Sequence, residues 1–273
     1  MNKMIEQIRA GASAKNARVV LFDFDGTISL IRAGWMDVMV PMMVDILADL
    51  KTGESREKLR GIVEDFVGRL TGKQTMYQMI ELAEHVAARG GHPPDPSVYK
   101  KMYLDLLHEK IRYRLEELSS GAAQPEKYLV PGARELLEGL QQRGLKMYLA
   151  SGTDQVYMRA EAKLLDVIQY FDGGVFGALD DYKSFSKKIL IQRVIAAAEC
   201  RGDEFLGFGD GYVEIENVKE VGGVAVGVAT AEPECHTVDE WKRERLVGVG
   251  ADFIVPNFLC HRELLDTLFP NGE

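Results

Sequence analysis

The sequence predicts an α/β protein: a parallel sheet with helices on both faces, and a smaller all-helical domain inserted after the first strand. Three observations predict it. From Pro131 onward, short apolar runs alternate with amphipathic stretches. One further apolar run, Val19-Val20-Leu21-Phe22, stands alone near the N-terminus. Between the two lie about a hundred residues whose apolar positions recur every three to four, the period of helix and not of strand.

Taken in order, Val19–Phe22 is bounded by the turn residue Gly26 and reads as a buried strand. Trp35–Leu50, Arg56–Leu70, Thr75–Ala88 and Ser97–Leu118 read as helices, separated by Thr52-Gly53, Thr71-Gly72 and Gly90-Gly91-His92-Pro93-Pro94. So much chain cannot be a loop within a compact domain. It is expected to form a helical domain over residues 31–127, set into a core domain of residues 1–30 and 128–273. Met36, Met39, Met42 and Met43 are expected to fill its core, since the flexible thioether packs into irregular gaps. Ser119 to Pro125 reads as the return linker. Pro131 suits a helix start, and Gly144 ends the helix over Gly132–Gln142. Strands are then expected at Lys146–Ala150, Gly174–Phe176, Phe205–Phe208, Val224–Val228 and Phe253–Val255. Helices are expected near Gln155–Leu164, Lys187–Ala198, Glu214–Glu220, Val238–Val247 and Arg262–Leu268. Such alternation implies right-handed crossovers and a Rossmann-like parallel sheet.

Of 273 residues, 46% are hydrophobic and 27% charged, enough apolar chain for one large domain or a core with a smaller second one. The net charge of −9, without a long basic run, argues against nucleic acid as a partner. Met1 to Arg18 lacks the apolar segment of a signal peptide, and no later stretch has the length and apolarity to span a membrane. Cys200, Cys235 and Cys260 are odd in number and scattered, which points to a reducing, cytoplasmic setting. Cys235-His236 and Cys260-His261 do not match structural zinc spacing.

The residues suited to chemistry gather where expected strands end. Asp23 and Asp25 follow the first strand, at the sheet edge where open α/β folds bind ligands. Carboxylates buried there are costly unless a cation or proton compensates them, so the pair implies a magnesium-type site with a carboxylate free to attack or to move a proton. Ser151-Gly152-Thr153-Asp154 joins the next strand to a helix start, a ready phosphate cradle as well as an ordinary cap. Lys187 opens a helix, where a cation opposes the dipole. With Lys187 at the site, Ile191, Val194 and Ile195 form the buried stripe; Lys183 and Lys188 are the alternatives. Gly209-Asp210-Gly211 ends a fourth strand and Glu214 lies one helical turn on, giving the few oxygen ligands that magnesium takes.

In this order the motifs resemble those of haloacid dehalogenase superfamily phosphohydrolases. Asp23-Phe24-Asp25-Gly26-Thr27 matches the first motif, Ser151 the second, Lys187 the third and Gly209-Asp210-Gly211-x-x-Glu214 the acidic fourth. Glu214 departs from the family, where aspartate is more usual. The resemblance covers residues of about 17–30 and 130–260 and leaves the insert unassigned. It implies that Asp23 attacks phosphorus and forms an aspartyl-phosphate, while Asp25 protonates the leaving oxygen and then activates water. It implies Mg2+ as cofactor, with Asp23, the main-chain carbonyl of Asp25 and Asp210 as ligands and Glu214 as a further metal residue. Ser151 and Lys187 would hold the transferring oxygens, with Thr27, Gly152 and Thr153 beside the phosphate. The presence of Asp25 favours phosphomonoesters over the C–Cl and P–C substrates of members that lack it. An insert between the first two motifs implies a mobile helical cap and therefore a small substrate, a sugar phosphate or a phosphoglycolate-like compound. Arg32, Trp35 and Lys73 are the candidates for contact with it, each otherwise a capping or surface residue. A phosphomutase of the β-phosphoglucomutase type uses the same residues, and a catalytically inactive metabolite-binding protein on the same fold is a third reading.

Overall fold

In the computed structural model, which describes residues 4–179 and 186–270, the described strands form one sheet. In chain order they are β1 (Glu6–Gln7), β2 (Val19–Asp23), β3 (Lys146–Asp154), β4 (Gly174–Ala178), β5 (Phe205–Gly209), β6 (Val224–Val228) and β7 (Phe253–Val255). They lie side by side as β1-β7-β6-β5-β2-β3-β4. Every pairing is parallel except that of β1 with β7. The parallel strands follow the apolar runs of the sequence. The antiparallel β1 does not, because its two polar residues are too few to show any alternation.

The helices are α1 (Met36–Ala48), α2 (Arg56–Arg69), α3 (Thr75–Ala88), α4 (Pro96–Ser120), α5 (Ala133–Gln142), α6 (Gln155–Leu164), α7 (Lys187–Ala198), α8 (Tyr212–Glu220), α9 (Glu240–Gly248) and α10 (His261–Leu268). Strand side chains alternate between faces, so β2 sends Val19 and Leu21 one way and Val20 and Phe22 the other. The first pair packs with Leu190, Ile191 and Val194 of α7, Ile215 and Val218 of α8, and Leu246 of α9. On the second face Phe22 stacks on Phe208 at 4.6 Å, and Phe208 meets Phe258 edge-on at 6.0 Å. From β2 the chain runs to β3 and β4 on one side, then returns to β5, β6 and β7 on the other. The C-terminal end of β2 is thus a topological switch point, where ligands of such sheets bind.

The chain divides into a sheet unit, Met1–Ala33 with Arg114–Glu273, and a helical unit, Gly34–Tyr113. The second boundary falls inside α4, before residue 127. Arg114 accounts for this, because its Nη1 donates to the carbonyls of Leu30, Ile31 and Ala33 at 3.1, 2.8 and 3.0 Å. The last turns of α4 are thereby tied to the sheet unit. Within the helical unit, Met39, Met42 and Met43 of α1, Val63 and Phe66 of α2, and Met79 and Leu82 of α3 are buried. Among the described residues no helix is long and apolar enough to cross a membrane.

Candidate active site

Asp23 ends β2 on the face of Val19 and Leu21, the face that α7 and α8 cover. Its carboxylate therefore meets Lys187, the first residue of α7, which in turn meets Glu214, the third of α8. The Lys187 ammonium donates to Asp23 Oδ1 at 2.7 Å and also to Glu214 Oε1. Asp23 and Lys187 are each 5% exposed and Glu214 2%, so the three charges share a nearly dry site. Ser186 Oγ accepts from the Ile189 amide at 3.1 Å and fixes where α7 begins, which sets the reach of Lys187. Burial pushes the Asp23 carboxyl up to about 7; Lys187 opposes the shift, and the nearby carboxylates Asp210 and Asp25 add to it. Lys188 points elsewhere, to Glu220 at 2.7 Å. Lys183 lies outside the described residues.

Glu214 stands on Lys187, where the sequence suggested a metal ligand. Gly209 permits this approach: a Cβ there would come within 2.8 Å of the Glu214 Cβ. The second oxygen, Oε2, is buried without a hydrogen-bond partner among the described residues.

Asp25 sits in a tight turn after β2, closed by the amides of Ile28 and Ser29 on the Phe24 carbonyl, both at 2.9 Å. Its Oδ2 accepts from Ser151 Oγ at 3.0 Å and from Thr153 Oγ1 at 2.8 Å. Ser151 and Thr153 are two apart on β3 and so share a face. They lie where the β3–β4 register slips, between Ala150 and Asp154. Among the described residues Asp25 Oδ1 has no hydrogen-bond partner, but Arg32 Nε stands 3.8 Å away. Arg32 is gripped by Glu161 of α6, with Nε 3.1 Å from both carboxylate oxygens and Nη2 2.7 Å from one of them. Its guanidinium also lies over the Tyr157 ring at 5.8 Å. Sequence reasoning missed Glu161, which lies 129 residues from Arg32 with no local signal to link them.

Asp210 follows β5 and presses against the turn after β2. Gly26 has φ +74°, and a Cβ on it would stand 2.2 Å from Asp210 Oδ2, so glycine alone fits both the backbone and the approach. The same oxygen accepts from Lys242 Nζ of α9 at 3.1 Å, and Lys242 reaches Glu232 Oε1 at 3.3 Å. Burial lowers the Lys242 pKa, but Asp210 and Glu232 outweigh it and the net shift is upward. Asp23, Asp25, Ser151, Thr153, Lys187, Asp210 and Glu214 thus meet at one end of the sheet. Gly152 is half-buried between its neighbours, and Thr27 is fully buried, its hydroxyl without a hydrogen-bond partner among the described residues. Trp35 and Lys73 belong to the helical unit, Trp35 at the start of α1 and Lys73 exposed between α2 and α3.

A model of the haloacid dehalogenase-like hydrolase family matches residues 17–222, and the chain belongs to that family. It is an enzyme of the hydrolase class. No protein of curated function matches it in sequence. Among solved structures it resembles a predicted phosphatase from Clostridium acetobutylicum, with TM-score 0.60 and 18% identity over 92% of this chain and 99% of that one. It also resembles a predicted phosphoglycolate phosphatase from Haemophilus somnus, with TM-score 0.59 and 13% identity over 91% and 98% of the two chains. A β-phosphoglucomutase from Clostridium difficile gives TM-score 0.52 and 15% identity over 85% and 98%. At such identities these likenesses establish the fold.

Proposed function

We propose that the chain is a Mg2+-dependent phosphatase that hydrolyses a small phosphorylated metabolite through an aspartyl-phosphate on Asp23. The observation that carries this reading is the unequal setting of two carboxylates in one turn. Asp23 is buried against an ammonium group, whereas Asp25 is half-buried under two hydroxyls. Two carboxylates in different environments take different roles, one as nucleophile and one as acid and base.

In the first step an Asp23 oxygen attacks phosphorus and the bond to the ester oxygen breaks, while Asp25 gives that oxygen its proton. In the second, Asp25 takes a proton from water as the water attacks the same phosphorus. Inorganic phosphate leaves and the Asp23 carboxylate is restored. Lys187 and Ser151, with Gly152 beside them, hold the non-bridging oxygens as charge develops on them. The Thr153 hydroxyl keeps Asp25 in one orientation when Ser151 turns its single proton from Asp25 to the phosphate. Glu214 is a positioning residue, since its bond to Lys187 directs that ammonium toward Asp23. Thr27, being fully buried, serves the turn and not the substrate.

The residues present fit a hard divalent cation. The donors are all oxygens, two buried-edge carboxylates repel one another, and Gly26 opens the space that lets Asp210 approach the turn. Among the described residues no three His, Cys, Asp or Glu side chains form a ready cluster. Two carboxylates, Asp23 and Asp210, with the Asp25 carbonyl would hold Mg2+, leaving the remaining positions to water and phosphate. The ion would supply neutralisation of the charge that otherwise keeps a phosphate from a carboxylate.

The test is phosphate release from a panel of phosphomonoesters, with Mg2+ or with EDTA, beside Asp23→Asn. Metal-dependent release that disappears in the variant is expected. Near-normal turnover by Asp23→Asn would overturn the assignment, and silence toward every ester would turn attention to transfer between sugar phosphates.

A further inference from the structure

Lys242 lies outside the span matched to the family, which ends at residue 222. We infer that Lys242 is a resident counter-cation of the metal site, whose charge on Asp210 weakens the hold on Mg2+. This inference rests on the metal reading given above.

Its geometry is that of a fixed charge. Lys242 is the third residue of α9, and its amide donates to the Asp239 Oδ1 cap at 3.0 Å. The side chain is only 16% exposed, with its ammonium shared between Asp210 Oδ2 at 3.1 Å and Glu232 Oε1 at 3.3 Å. A lysine in a first helical turn faces the positive end of the dipole. Two carboxylates offset that cost here, so the position is specific and not a surface accident. Asp210 Oδ2 is held between the Gly26 backbone and this ammonium, so the ligand oxygen belongs to a formed ion pair before any metal arrives. A divalent ion on Asp210 is then within a few ångströms of a like charge in a poorly solvated place, where repulsion is strong. Lys187 plays the same part for Asp23 and Glu214. Lys242 touches no reacting atom, and its effect is on the metal and not on the chemical step.

Lys242→Gln separates charge from orientation, because the amide can still donate to Asp210. Titration calorimetry with MgCl2 on the metal-free protein, without substrate, is expected to show Mg2+ bound at least fivefold more tightly in Lys242→Gln. Lys242→Arg, which keeps the charge, is expected to bind as the natural protein does. Glu232→Gln removes the negative charge that competes with Asp210 for Lys242 and is expected to move the other way, to binding at least twofold weaker. Circular dichroism checks that each variant is folded, and the Glu232 variant decides the matter if Lys242→Gln does not fold. Unchanged or weaker Mg2+ binding in a folded Lys242→Gln, or unchanged binding in Glu232→Gln, would overturn the inference while leaving the phosphatase reading intact. A natural protein that takes up no Mg2+ at all would overturn both.

Discussion

Two carboxylate sites, one in each unit, handle their charges in opposite ways. In the sheet unit, Asp23, Lys187 and Glu214 meet with none of them more than 5% exposed, and burial raises the Asp23 carboxyl to about 7. In the helical unit, Glu54 sits beside solvent, bonded by Arg89 at 2.7 Å, Lys58 at 3.2 Å and Thr52 at 3.0 Å. There the Arg89 hydrogen bond leads, joined by those from Lys58 and Thr52, and holds Glu54 down at about 2. Where water stays near, partners win and the carboxylate is content with its charge. Where water is removed, desolvation wins even against a lysine. The Asp23 site keeps its carboxylates in a state that invites a cation or a phosphorus atom, and Glu54 staples one segment of the helical unit to another.

The comparison can be broken most severely at Asp25. Asp25→Asn is expected to lower kcat by about 10²–10⁴-fold, the usual worth of a general acid–base. Mg2+ binding measured by calorimetry should persist, because the expected contact is main-chain; a variant with near-normal kcat would leave the turn with no division of labour. Next comes Glu161→Ala, which takes the two-oxygen carboxylate partner from Arg32, a residue only 8% exposed. Loss of one partner from a buried pair costs about 3–5 kcal/mol, to be read from urea unfolding. A loss below 1 kcal/mol, the usual ceiling for an exposed pair, would show that water reaches the guanidinium after all.

Glu54→Gln should have the smallest effect and a distinctive pH dependence. The native carboxyl lies below its ordinary value, so its contribution is present above pH 4.5 and fades as pH falls toward about 2. Melting curves of the natural protein and the variant should therefore differ modestly at pH 7 and converge on acidification. A gap that persisted at pH 2 would mean that packing, and not charge, is what Glu54 supplies.

Most of the sheet was legible because parallel strands are buried on both faces and read as continuous apolar runs, as Val224–Val228 does. Asp23, Asp25 and Asp210 were legible for a related reason: each follows such a run, and strand ends are where polar residues become conspicuous. Lys187 could be singled out from the stripe of Ile191 and Val194 on its own helix. Local patterns failed where the partner is distant. Nothing near Arg32 announces Glu161, and nothing in the charged helix Glu240–Gly248 announces that its lysine turns inward to Asp210. Glu214 shows the same limit, since spacing placed it near the site and only packing through Gly209 set it on Lys187.

The two-residue strand β1 has a consequence for the protein in a crowded solution. It occupies the side of β7, whose Phe253-Ile254-Val255 would otherwise offer unpaired amides and carbonyls on an apolar strand. Such a border can accept a strand from another molecule and begin aggregation. Arg243 clasps Glu6 through bonds of 2.7 and 2.5 Å, and Arg9 reaches Asp252 at 2.7 Å, so this short polar lip is fastened at both ends. The acidic and basic side chains that fasten it also make it a poor template for a neighbour, which turns a sticky margin of the sheet into a soluble one.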